Sequence, residues 1–280
     1  MGRALPLLLR LLLPVHTAAA VGTAEPPAPP PAPLRVLTYG RSANGFGAPP
    51  RGWNPWGLIA NHRLNQTQAS VLEQCGRLRG DGPICSLDSG WSGGCGGDAH
   101  GRIIPDRDKF PDMAGLSRQL RTGASAAQLG VYIVPGTFSA DKDKLILGTN
   151  LTLGSTWKHP DATKHSKFCR MEFDFSRPGV QEWHNSVVDL FCEELGVSYI
   201  KLDFICPTRS PDGCQGFADS RPAAAMFHTA IQRSKCRGKM RLGLSWMLDY
   251  KRSFWGAWNS TADSMRTDEV TTTTCQRLSA

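Results

Sequence analysis

The chain has 280 residues, of which 40% are hydrophobic, so it can bury one large core and is expected to form a single domain. Its formal net charge is +8, but the basic residues are scattered, without a Lys/Arg-rich run or interleaved aromatic residues, which argues against nucleic-acid binding. No histidine is spaced from another ligand as in a zinc site, and there is no glycine-rich phosphate loop, so neither a metal nor another cofactor is expected.

The N-terminal residues have the pattern of a secretory signal peptide. A basic start at Arg3 is followed by an apolar run and by the small residues 18–20, where a peptidase can cut, which predicts a signal peptide over residues 1–20. The apolar run is shorter than the roughly 20 residues of a membrane-spanning helix, so no membrane association is expected after cleavage. Residues 21–34 are rich in proline and alanine and predict an extended spacer. We therefore expect a secreted, extracellular protein.

Cysteines and glycosylation sequons agree with that expectation. Nine cysteines follow the predicted signal peptide, as is typical of disulfide-bonded proteins from an oxidising compartment. Three Asn-X-Ser/Thr sequons are compatible with N-glycosylation, and they begin at Asn65, Asn150 and Asn259.

Residues 35–270 alternate short apolar runs with helical patterns, which predicts a parallel sheet covered by helices. Predicted strands lie at 84–87, 130–134, 197–203 and 241–245, and predicted helices lie at 113–121, 178–195 and 222–233. The clearest unit is the helix that Ser176 can cap and Gly196 can end, followed at once by the strand 197–203. We expect a (β/α)8 TIM barrel of which about six βα units are recognisable, incomplete at its C-terminal end, with residues 271–280 as an irregular tail.

The polar residues that follow the predicted strands are the candidates for chemistry, because active sites of such barrels lie at the carboxyl ends of the strands. A sugar presents an apolar face and a belt of hydroxyl groups, so its site needs an aromatic platform beside charged hydrogen-bond acceptors. The tryptophans found here could equally be core residues. The segments that supply tryptophans and carboxylates are 52–56, 87–91, 201–204, 245–246 and 265–269.

Cleavage of a glycosidic bond needs two carboxyl groups, one ionised and one protonated. Asp203 ends its strand beside Lys201, whose charge favours an ionised carboxylate, and this suits a nucleophile. Asp268 follows about two βα units later and could face Asp203 across the barrel mouth as the general acid/base. Arg266 could hold Asp268 ionised or bind a sugar hydroxyl, and both roles stay open.

Five segments resemble, in the same order, the strand-end motifs of α-galactosidases in glycoside hydrolase family 27 and its clan, and the resemblance covers roughly residues 36–270. They are Gly-Trp-Asn-Pro-Trp at 52–56, Asp-Ser-Gly-Trp at 88–91, Leu-Gly-Val-Tyr at 129–132, Gly-Val-Ser-Tyr-Ile-Lys-Leu-Asp at 196–203, and Arg-Thr-Asp-Glu at 266–269. The resemblance implies a (β/α)8 barrel, a covalent glycosyl-enzyme, Asp203 as nucleophile and Asp268 as acid/base. It also implies a sugar site lined by Trp53, Asp88, Lys201, Ser245 and Arg266.

Three departures from the family pattern keep alternatives open. Ser89 stands where the family has a second aspartate that binds the outer hydroxyls of the sugar, which leaves another α-linked sugar as an alternative to galactose. The spacing from Arg266 to Asp268 is shorter than usual, so Glu269 is an alternative acid/base. Few residues follow Asp268, so a non-catalytic carbohydrate-binding or truncated relative is a further alternative.

Overall fold

The computed structural model describes residues 40–160, 169–205, 219–246, 248 and 252–266. The predicted signal peptide, spacer and tail, and the candidate acid/base residues Asp268 and Glu269, lie outside these residues. Of the helices in the described part, none is both long enough and apolar enough to cross a membrane.

The centre of the molecule is a parallel sheet of six strands. They are β1 (Gly52–Trp53), β2 (Ile84–Ser86), β3 (Gln128–Ile133), β6 (Val197–Leu202), β7 (Arg241–Leu244) and β8 (Ser264–Met265), hydrogen-bonded in that order. Two short strands, β4 (Thr137–Phe138) and β5 (Arg170–Met171), form a separate antiparallel pair. The curled parallel sheet, with helices between its strands, confirms the predicted TIM-barrel class and the recognition of about six units.

Helices follow the strands in the alternation that the sequence predicts. They are α1 (Trp56–Ala60), α2 (Gln68–Cys75), α3 (Met113–Thr122), α4 (Val180–Asp189), α5 (Arg221–Arg233) and α6 (Arg252–Thr261), with a π-helical turn at Leu190–Glu194 and 3-10 turns at Ser139–Asp141 and Leu153–Thr156. Thr67 caps α2 through the backbone N–H of Ser70, and Asp112 caps α3 through that of Gly115. These side chains satisfy amides that the first helical turn leaves unpaired.

The predicted cap of α4 is wrong. Ser176 does not cap this helix, because its hydroxyl and its amide both donate to the Asp174 carboxylate in the turn before it. Helix α4 instead starts after Gly179, whose φ of 89° lies in the left-handed region that glycine adopts without a steric penalty.

The core lies between the sheet and the helices. Along β6 the side chains of Ile200 and Leu202 are fully buried in it, whereas Tyr199 and Lys201 line a cavity on the other face of the sheet. This alternation follows from the two-residue period of a strand. Disulfides in the described part join Cys75 to Cys85, Cys95 to Cys169 and Cys192 to Cys236.

Candidate active site

The parallel register of the sheet brings the predicted site residues together at the carboxyl ends of its strands. Asp88 follows β2, Asp203 follows β6, Ser245 follows β7 and Arg266 follows β8, and all these strands are parallel. The backbone N–H groups of Asp203, Ser245 and Arg266 each still bond to the preceding strand in the sheet, at 2.9 Å. The hydrogen bonds of the sheet therefore fix the backbone positions of these three residues.

Lys201 connects the two carboxylates of this edge. Its Nζ atom donates to Asp88 Oδ2 at 2.7 Å and lies 3.2 Å from Asp203 Oδ2. Asp88 is 1% exposed and Asp203 is 5% exposed, so the three charges interact in a poorly solvated place. The arrangement gathers two buried anions around one cation.

The protonation of Lys201 is set by these neighbours. Burial alone would lower the pKa of its ammonium group, but the charges of Asp88 and Asp203, and the hydrogen bonds to them, raise the pKa above its ordinary value. Lys201 therefore stays cationic through the neutral range.

Two amide side chains that sequence reasoning missed hold Asp88. Asn54 Nδ2 donates to Asp88 Oδ2 at 2.7 Å. Gln66 binds the backbone of Asp88 twice, accepting from its N–H at 2.8 Å and donating to its carbonyl oxygen at 3.0 Å. The Ser89 N–H donates to Asp88 Oδ1 at 2.8 Å. Every polar group of Asp88 is thus engaged.

Both residues lie in sequence motifs that indicate a different role. Asn54 lies in the Gly-Trp-Asn-Pro-Trp segment, which was interpreted through its tryptophans, and Gln66 is the middle residue of the sequon at Asn65. Their roles come from contacts across 34 and 22 positions of the chain.

Tyr132 lies beside the charged group. The centre of its ring is 5.4 Å from Lys201 Nζ, a cation–π distance. Burial, followed by the charges of Asp203 and Asp88, raises the pKa of the Tyr132 phenol, so the phenol stays protonated. Arg170 lies behind it, where burial lowers the guanidinium pKa to about 10, which leaves Arg170 cationic at neutral pH.

A cavity of about 410 Å³ adjoins these residues. It brings together four of the predicted sugar-site residues, Trp53, Lys201, Ser245 and Arg266, and Arg266 Nη1 donates to Ser245 Oγ at 3.4 Å. Asp88 is joined to the cavity through Lys201 and Asn54. The remaining walls are both polar and apolar, as a sugar requires.

The other tryptophans of the strand ends have different environments. Trp56 lines the cavity, whereas Trp91 is fully buried and donates its indole N–H to the carbonyl oxygen of Tyr132 at 2.6 Å. Trp246 stacks on Phe204 with ring centres 4.4 Å apart. Phe204 and Trp246 have φ values of 57° and 100°, so the backbone directly after Asp203 and Ser245 is strained.

Within the described ranges, no group of three or more His, Cys, Asp or Glu side chains could hold a metal ion. The chemistry available from these residues is that of carboxylates, an ammonium group, a phenol and aromatic faces.

Comparisons with known proteins find sequence similarity to α-galactosidases and structural similarity to a family 27 enzyme. In an alignment of 264 positions that covers 86% of this chain, the sequence is 34% identical to α-galactosidase 3 of Hypocrea jecorina. A second relative, from Emericella nidulans and named a putative α-galactosidase, is 30% identical over 251 positions that cover 83% of this chain. The family 27 β-L-arabinopyranosidase of Geobacillus stearothermophilus, solved with arabinose, superposes with a TM-score of 0.63 over 79% of this chain and 53% of its own, at 19% identity. No protein-family model matches the chain.

The chain spans less than half the length of the curated relatives it matches, 40% of the Hypocrea protein and 47% of the Emericella protein. The sequence similarity therefore covers most of this chain but only part of those proteins.

Proposed function

We propose that this chain, which is similar in sequence to α-galactosidases, is a secreted retaining glycoside hydrolase that removes terminal α-linked galactose from oligosaccharides or glycans. The observation that carries the proposal is the buried group of Lys201 between Asp88 and Asp203, beside a cavity with tryptophan in its wall. The similarity of the chain to α-galactosidases supports the choice of reaction.

In this proposal Asp203 is the nucleophile. Its Oδ1 accepts the Phe204 N–H at 2.8 Å, while Oδ2 faces Lys201, so the carboxylate is held in one orientation. Attack of a carboxylate oxygen on the anomeric carbon breaks the bond to the leaving oxygen, which takes a proton from the acid/base. Water then attacks the glycosyl-enzyme, gives its proton back to the acid/base and releases Asp203. Asp268 is the proposed acid/base, with Glu269 as the alternative.

Sugar recognition is assigned to the remaining predicted residues. Trp53 is the proposed stacking surface, and Lys201, Ser245 and Arg266 are proposed to donate hydrogen bonds to ring hydroxyls. Asp88 accepts three hydrogen bonds from the protein, so it offers the sugar its remaining lone pair from a fixed position.

A second candidate function is cleavage of a different α-linked sugar. The observation in its favour is Ser89, which supplies an N–H to Asp88 but no second carboxylate beside it. The structural relative named as a β-L-arabinopyranosidase makes a pentopyranoside a useful member of any substrate panel.

Secretion, with residues 1–20 as signal peptide, 21–34 as spacer and 35–270 as catalytic barrel, is part of the same proposal. The three disulfides of the described part support an oxidising compartment. Asn65, Asn150 and Asn259 are all exposed, as glycosylation requires.

The test is hydrolysis of aryl glycosides by the purified full chain. The panel holds the α-galactoside, the α-N-acetylgalactosaminide, the α-glucoside and the β-L-arabinopyranoside. We expect turnover of the galactoside, and we expect Asp203→Asn to lower kcat by on the order of 10³-fold or more because the nucleophile is lost. Asp108→Asn, at an exposed aspartate, is the matched control and should keep full activity.

Each alternative has its own outcome. Turnover of only another glycoside, lost in Asp203→Asn, would replace galactose by that sugar. Absence of all turnover in a folded chain that still binds galactose in calorimetry would contradict the enzyme and favour a carbohydrate-binding protein. Normal activity of Asp203→Asn would remove Asp203 as nucleophile.

A further inference from the structure

The last residue of α5 and the connection from α5 to β7 are rich in basic residues. In residues 233–239, here named the basic loop, every second residue is basic: Arg233, Lys235, Arg237 and Lys239. All four are exposed. The four basic residues do not form an uninterrupted Lys/Arg-rich run, because Ser234, Cys236 and Gly238 separate them.

The basic loop is held in shape by its centre. Cys236 is buried and is joined by a disulfide to Cys192 in the π-helical turn. The carbonyl oxygen of Cys236 accepts the N–H of Lys239 at 2.8 Å and that of Met240 at 3.0 Å, and Gly238 supplies the left-handed residue of this turn, with φ of 72°. A loop fixed in this way loses little conformational entropy on binding.

Most of its charge is not neutralised by the protein. Lys235 pairs with Glu193 at 2.7 Å. In the ranges that the structure describes, no carboxylate lies within ion-pair distance of Arg233, Arg237 or Lys239. The loop lies at the end of the sheet opposite the candidate active site, because it precedes β7 whereas Ser245 follows β7.

We propose that the basic loop is a docking surface for a sulfated linear polysaccharide. Guanidinium and ammonium groups bind sulfate oxygens through charge-assisted hydrogen bonds, and a row of them releases counterions from a linear polyanion. The loop exposes no aromatic side chain on which a nucleic-acid base could stack, and no large apolar side chain that could enter a membrane. Disulfides of an oxidising compartment agree with an extracellular polyanion.

The test measures the full chain on immobilised heparin and on a sulfonate cation exchanger, and needs no hydrolytic activity. The wild-type chain should elute from heparin at a higher NaCl concentration than from the exchanger. The double variant Arg237→Ser, Lys239→Ser should elute earlier from heparin, and the slope of log binding constant against log salt should fall in magnitude by about two. The control Arg107→Ser, Lys142→Ser removes two exposed charges elsewhere and should elute close to wild type.

Competing partners are separated in the same experiment. Tighter binding of double-stranded or single-stranded DNA than of heparin, or binding of phosphatidylserine vesicles without heparin, would overturn the proposal. An equal decrease in the NaCl concentration of elution from heparin for the two double variants would also overturn the proposal, since it would reflect net charge alone. Elution of the wild-type chain from fully desulfated heparin at the same NaCl concentration as from heparin would also contradict the proposal. Unchanged thermal unfolding of both variants excludes misfolding as the cause of an early elution.

Discussion

Single side chains position the candidate active site, and Gln66 is the clearest example. Its amide forms two hydrogen bonds with the backbone of Asp88, a residue 22 positions away, and Gln66 is only 5% exposed. The carboxylate of Asp88 in turn holds Lys201 at 2.7 Å. A displacement of Asp88 would therefore move Lys201 and change its contact with Asp203.

We expect Gln66→Ala to lower the free energy of unfolding by about 2 kcal/mol, because it leaves the buried N–H and carbonyl groups of Asp88 without partners. Urea denaturation measures this. Gln119→Ala, at an exposed position of α3, is the matched control and should change stability by less than about 0.5 kcal/mol. An equal effect of both substitutions would contradict the proposed role of Gln66.

His184 predicts how stability depends on pH. The ring is fully buried against Phe173, Trp183 and Phe227, and its Nδ1 atom lies 2.7 Å from the carbonyl oxygen of Val180. Burial lowers the His184 pKa from 6.5 to about 4. The unfolded chain therefore takes up a proton below pH 6.5 that the folded chain does not accept until pH 4 is approached.

The stability from His184 is fully present above pH 6.5 and is lost as the pH falls towards 4, by about 3 kcal/mol in total. Comparison of unfolding free energies of wild type and His184→Met from pH 7 to pH 4 isolates this part from the titration of carboxylates. The variant should show the shallower decline. Parallel curves would show that the buried ring does not control acid stability.

Between neighbouring strands, two glycines make room for Tyr199 inside the curled sheet. A Cβ atom at Gly130 in β3 would lie 2.9 Å from Tyr199 Cδ1. A Cβ atom at Gly243 in β7 would collide with Tyr199 Oη and lie 2.9 Å from Ser264 Oγ. The three strands thus pack a large side chain of β6 against the backbones of both its neighbours.

Gly243→Ala is expected to destabilise the protein by about 1–3 kcal/mol through overpacking. Gly256→Ala is the control, since nothing lies within 4 Å of a Cβ atom there and α6 should gain about 0.5–1 kcal/mol of helix propensity. Opposite signs in chemical denaturation support the packing argument, whereas a stabilising Gly243→Ala would refute it.

The length and burial of an element decided whether it was predictable. Strands β3, β6 and β7 are predictable because each is four to six residues long and contains at least two buried apolar side chains. Strands β1 and β8 have two residues each, so the sequence indicates only the segments 52–56 and 265–269 at their ends, and the pairing with a neighbour defines the strands themselves. The same distinction applies to the site, since Asp88, Lys201 and Asp203 lie at predicted strand ends, whereas the roles of Asn54, which follows the short strand β1, and of Gln66 are visible only from their contacts with Asp88.

At the scale of the whole molecule, Asp263 ties the first described segment to the last described strand. Asp263 precedes β8, and its carboxylate accepts hydrogen bonds from the Ser42 hydroxyl at 2.5 Å, from the Asn44 side-chain amide at 2.8 Å and from the Leu242 N–H at 2.6 Å. These contacts with Ser42 and Asn44 span 221 and 219 positions of the chain. The segment around Asn44 leads into β1, so the carboxylate links the two edge strands of the described sheet, β1 and β8.

A substitution of Asp263 should therefore destabilise both edge strands of the sheet. We expect Asp263→Ala to lower the free energy of unfolding by about 3 kcal/mol, since it leaves several donors without their charged acceptor, and Asp263→Asn to cost less because one oxygen acceptor remains. Hydrogen exchange should show the amides of Asn44 and Leu242 losing protection together. If only Asn44 lost protection while Leu242 and the stability stayed unchanged, the carboxylate would be a local loop contact rather than a link between the two edges.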